Sequence, residues 1–116
     1  MRAALLLLLA GWAPWAAAQA AAPDAPRQAE LVRLVRQDCG SCHGMRLTGG
    51  LGPPLTPQAL AERPREAMVA TVIHGRPGTP MPAWRAMLNE AEAEWVVAQL
   101  MRGFPDEPAA PRRAAR

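Results

Sequence analysis

Residues 39 to 43 read Cys-Gly-Ser-Cys-His, and the remainder of the chain is best interpreted around this stretch. Its two cysteines and one histidine stand at positions i, i+3 and i+4, so on a helical turn Cys39, Cys42 and His43 project from one face. C-x-x-C-H is the signature of covalent haem attachment, in which each thiol adds to one vinyl group and the imidazole between them binds iron as the proximal ligand. Three other readings compete. A redox-active C-x-x-C belongs beside a βαβ pattern, and no alternating strand pattern occurs in the chain. A zinc site needs about four ligands, and beyond these three residues only His74 and carboxylates remain. A plain Cys39–Cys42 disulfide is the third.

A second axial ligand must come from another segment. The candidates are Met45, Met68, Met81, Met87, Met101 and His74. Met45 is too near His43 to reach over a ring, while Met68, Met87 and Met101 fall in helical patterns where methionine fills core space. Met81 stands in a loop, flanked by Pro80 and Pro82 and preceded by Gly78, a rigid mount for a thioether. His74 reads as a surface histidine at a helix end, favoured by the dipole there.

Working outward, Leu31, Val32, Leu34 and Val35 form an apolar stripe on a helix that starts near Gln28 and stops near Cys39, because Gly40 is a poor helix residue. Residues 21–27 read as a linker. The run from Met45 to Pro54 is a loop rich in Gly and Pro. Thr56-Pro57 is a cap and first-turn pair for a short helix reaching about Arg63, and a further helix from Pro64 ends at Gly75. Asn89 with Glu92 spells a capping box before the stripe of Trp95, Val96 and Leu100, and Gly103 stops that helix. These spacings predict an all-α domain over residues 28–104 with about four short helices, followed by a Pro-rich tail at 105–116 expected to be disordered.

The 116 residues hold one Phe, no Tyr and four Trp, too few large side chains to fill a core without a bulky apolar cofactor. All thirteen basic residues are arginine. They are spread along the chain rather than gathered in a stripe, which argues against nucleic-acid binding. Residues 1–20 read as an export signal: Arg2, then apolar Ala3–Ala10 with five consecutive leucines, then small residues at 16–20 suited to cleavage after Ala18 or Ala20. The longer apolar run from Ala3 to Ala18, 16 residues, is short for a membrane span and contains Pro14. A soluble mature protein in the bacterial periplasm is therefore expected.

Three stretches, CGSCHG, GLGPPL and HGRPGTPMPAW, make residues 28–104 resemble the class I c-type cytochromes, and within them the small monohaem cytochrome c of denitrification gene clusters. That resemblance implies a cytochrome c fold around one covalently bound haem c. It implies that the Pro53 carbonyl accepts a hydrogen bond from His43, and that Leu55 and Trp84 line the haem pocket. The family often carries an aromatic residue near the end of its last helix, packed on the first; this chain has Gln99 there, and Trp95 is the residue expected to make that contact.

The function these features imply is one-electron transfer by a monomeric carrier, not enzymatic catalysis. The implied partner is a cd-type nitrite reductase, with Arg46, Arg76 and Arg85 expected around the exposed haem edge. Two alternatives stand beside it: an electron acceptor in maturation of the reductase's special haem, and a haem enzyme or sensor with an open sixth site.

Overall fold

The computed structural model describes residues 21–106; the expected signal peptide and nearly all of the expected tail lie outside the described residues. Among those described there is no strand, and the order is five short α-helices with one π-helical turn between the first two. The first two helices and that turn form one continuous compound helix, so the expectation of about four helices holds.

The first helix, α1 (Ala25–Leu34), starts earlier than the apolar stripe suggests. Asp24 is extended and its carboxylate accepts from the Arg27 N–H at 2.9 Å, while Pro26 occupies the first turn, where a missing N–H costs nothing. The stretch read as linker therefore contains the helix cap. Nor does the helix stop at Gly40. The Gly40 N–H reaches back to the Val35 carbonyl, opening one π turn over Val35–Cys39, and helix α2 (Gly40–His43) continues to Gly44. Gly44 holds φ at 88°, a conformation that favours glycine, and it is the actual stop.

Thr56 caps α3 (Pro57–Leu60) through a 3.3 Å bond from the Ala59 N–H. Helix α4 (Arg65–His74) follows Pro64 and ends at Gly75, whose φ is 69°. Helix α5 (Glu90–Arg102) carries both halves of its capping box, Glu92 N–H to Asn89 and Asn89 N–H to Glu92, each at 2.9 Å.

One core joins these elements: Leu31 and Val35 from the compound helix, Leu60 and Val69 from α3 and α4, and Ala93, Val96, Val97 and Leu100 from α5. Each large side chain buried this way contributes roughly 1.5–3 kcal/mol. Polar clamps tie the start of the compound helix to the start of α5, and its π turn to the residues just after α5. At the start, Arg27 donates to both carboxylate oxygens of Glu92 (2.6 and 3.3 Å), to Glu30 and to the Met87 carbonyl. The hydrogen bond from Arg27 is the main reason that the Glu92 carboxyl lies below its ordinary pKa, and the same bond raises that of Arg27. At the end, Arg36 donates to the carbonyls of Phe104 and Pro105 and lies 5.6 Å over the Phe104 ring. Trp95 is half-buried against the core, and the Phe104 ring also meets the compound helix, beneath Arg36.

Candidate functional site

Helix α2 ends with the Cys42 and His43 carbonyls unpaired within the helix, and the glycine-rich loop that follows folds back to satisfy them. Gly52 donates to the Cys42 carbonyl and Gly49 to that of His43, both at 2.8 Å. Leu47 anchors the loop in the core. It is buried at a φ of 61°, a strained backbone for leucine that its burial and its bonds to Gly44 and Leu55 hold in place. The chain is thereby brought across the face of His43.

There the Pro53 carbonyl lies 2.7 Å from His43 Nδ1. A carbonyl only accepts, so Nδ1 carries the proton and, in the neutral ring, Nε2 keeps its lone pair. Gly52 has no room for a side chain, since a Cβ would lie 2.8 Å from His43 Cε1 and Nδ1. The imidazole is thus held by a hydrogen bond and by contact with the glycine backbone.

Met81 is mounted by a second folded loop. Gly75 lets the backbone of 81–83 approach to a distance that a Cβ would block. The Arg76 N–H donates to the Met81 carbonyl at 3.2 Å, and the Arg76 carbonyl accepts from both the N–H and the hydroxyl of Thr79. Thr79 Oγ1 in turn accepts from the Met81 N–H at 3.3 Å, and the Trp84 N–H donates to the Val72 carbonyl. Met81 itself lies outside any helix.

Both loops border one cleft of about 460 Å³, within the range of small-molecule and cofactor sites, which run to roughly 1,000 Å³. Cys39, Cys42, His43, Pro53, Leu55, Met81 and Trp84 all line it. So does Met68, which the sequence marks only as core filler and which also packs on the core. His74 is exposed at the end of α4 and does not line the cleft. Met45 is exposed too. Met87, expected in a helix, lies exposed in the turn before α5, its N–H bonded to the Trp84 carbonyl, and Met101 packs against the core. Of the three arginines expected at the cleft edge, Arg76 lines it and the exposed Arg46 and Arg85 do not; Arg63, which nothing in the sequence marks, does. The remaining charged wall residue is Asp38.

The cysteines are not joined by a disulfide. Burial, helped by the charge of Asp38, pushes the Cys39 thiol up to about 11, the opposite of the electropositive setting that activates a redox C-x-x-C. Among the described residues no group of three or more His, Cys, Asp or Glu side chains gathers to hold a metal ion, which leaves a zinc site without its ligands. A mostly apolar cleft with two thiols, an imidazole whose Nε2 is free and a thioether fits a flat iron macrocycle. The donor set is nitrogen and sulfur.

Residues 26–100 match the family described as cytochrome c oxidase, cbb3-type, subunit III. Cytochrome c55X of Stutzerimonas stutzeri is 56% identical over 99 residues, covering 85% of this chain and 88% of the relative. The solved structure of c-type cytochrome NirC superposes with a TM-score of 0.68 at 61% identity, covering 69% of this chain and 94% of that one. The dihydro-heme d1 dehydrogenase of Pseudomonas aeruginosa is 40% identical over 92 residues, which cover 78% of this chain but 18% of that enzyme.

Proposed function

This chain belongs to the c-type cytochromes, the electron carriers that include cytochrome c55X, and from that premise we propose that it is an exported, periplasmic monohaem cytochrome that delivers electrons to a cd-type nitrite reductase in denitrification. The observation that carries the reading is the convergence on one cleft of Cys39, Cys42 and His43 from the compound helix and Met81 from a separately braced loop. Haem c bound there supplies reversible one-electron chemistry at iron. Cys39 and Cys42 would attach it by thioethers, His43 Nε2 and the Met81 sulfur would hold its iron, and Leu55 and Trp84 would line its pocket.

The chain's own residues suit a carrier. The bond from His43 to the Pro53 carbonyl fixes the ring and raises its basicity, and the Arg76–Thr79–Met81 hydrogen bonds limit movement of the thioether. Two braced ligands mean little rearrangement between oxidation states. Among the described residues no helix is long and apolar enough to cross a membrane, in keeping with a protein released after signal cleavage.

Similarity to part of an enzyme named for dihydro-haem d1 favours a second reading, in which this cytochrome accepts the electrons released as the reductase's special haem matures. Rapid mixing separates the two. Reduced protein mixed with mature, oxidised cd-type nitrite reductase should be reoxidised in a second-order reaction that slows with salt. Failure to react with the mature reductase, joined to reduction during dihydro-haem d1 oxidation, would replace the first reading by the second.

A further inference from the structure

Arg76 joins a backbone role that the carrier reading uses to a side chain that it leaves unused. Its backbone is the hub of the loop that presents Met81, donating to the Met81 carbonyl and accepting twice from Thr79. Yet Arg76 also lines the cleft, and its guanidinium has no hydrogen-bond or ion-pair partner among the described residues. Arg76 is an exposed residue at the rim of the cleft, and a cation there without a protein partner is suited to an anion carried by the cleft's own occupant.

We propose that Arg76 is a positioning residue that latches the Met81 loop by pairing its guanidinium with a carboxylate of the bound haem. This rests on the reading of the cleft as a haem site with Met81 as axial ligand. Haem carries two carboxylates, and the charged residues lining the cleft are Arg63, Arg76 and Asp38, with His43 as the other titratable group besides the two cysteines. Arg63 offers the same charge from the turn after α3, on a segment that does not carry Met81. Both arginines therefore suit the carboxylates, but Arg76 alone transmits that grip to the thioether.

The test uses the haem-loaded protein and titrates the ferric form with imidazole, following loss of the far-red methionine-to-iron band as imidazole displaces Met81. Replacing the side chain in Arg76→Gln leaves the backbone bonds of the loop intact. That variant should bind imidazole about three- to tenfold more tightly than wild type, the scale of one charge-assisted hydrogen bond at a partly exposed site. Arg76→Lys, which keeps the charge, should lie nearer to wild type. Arg63→Gln and Arg85→Gln, with the same change in net charge, should stay within about twofold of wild type. If Arg76→Gln and Arg85→Gln are indistinguishable, or if Arg76→Gln alters only the salt dependence of electron transfer, the latch is wrong and Arg76 belongs to a docking surface. A wild-type protein that carries haem but never shows the methionine band would overturn the Met81 reading and the latch with it.

Discussion

Replacing Gly52 by alanine tests how the imidazole is held. The backbone conformation at Gly52 is open to any residue, so the perturbation is steric. The added Cβ would lie 2.8 Å from His43 Cε1 and Nδ1 and 3.2 Å from Nε2, against ordinary contacts of 3.4–4 Å. Gly52 cannot easily retreat, because its N–H is bonded to the Cys42 carbonyl and its carbonyl to the Gly50 N–H. The ring must give way by roughly half an ångström or more, which pulls Nδ1 from the Pro53 carbonyl. Losing that bond costs about 0.5–1.5 kcal/mol and the overpacking about 1–3 kcal/mol, so Gly52→Ala should destabilise the haem-loaded protein by about 2–4 kcal/mol. A less basic imidazole also favours ferric iron less, so the reduction potential should rise. Gly50→Ala is the matched control: its Cβ would crowd the Cys42 carbonyl at 2.7 Å without touching the ring. It should lower stability and leave the potential near that of wild type. Chemical denaturation and a spectroscopic redox titration read both quantities. A Gly52→Ala protein with wild-type potential, and stability within about 0.5 kcal/mol of wild type, would refute the role given to this contact.

Three further expectations follow from the same geometry. Met81→Ala should abolish the far-red band and let the reduced protein bind carbon monoxide rapidly, whereas a retained band would mean that another residue ligates iron. Glu92→Gln should cost about 1–2 kcal/mol near neutral pH by weakening the clamp to Arg27, measured by denaturant unfolding. Because the folded state lowers the Glu92 pKa, that stabilisation is complete above the unfolded value of about 4.3 and drains away as pH falls through the lowered folded value; the variant should show a flatter stability profile in that acid range, and an unchanged slope would discount the pair. Asn89→Ala should cost about 1 kcal/mol through loss of the α5 cap, and a change within about 0.3 kcal/mol would show the capping box to be idle.

What could be read from residues alone was whatever depends on short spacing. Cys39, Cys42 and His43 lie within five positions, Asn89 and Glu92 within four, and Thr56 beside Pro57; a local rule suffices for each. Met81 was legible because prolines on both sides exclude it from a helix. The start of α1 is masked by the linker-like composition of residues 21–27, although Asp24 before a first-turn proline is a capping signal. The π turn over Val35–Cys39 leaves no mark in the sequence that a local rule reads. Arg63 and Met68 reach the cleft through tertiary packing, and the clamp between Arg27 and Glu92 spans 65 positions, beyond any local pattern.

The most direct measurement is the intact mass of the mature protein, purified under denaturing conditions from cells that assemble c-type cytochromes. Attachment through Cys39 and Cys42 requires the polypeptide plus one haem, retained after denaturation. A polypeptide of its own mass alone, with any colour lost on denaturation, would contradict it.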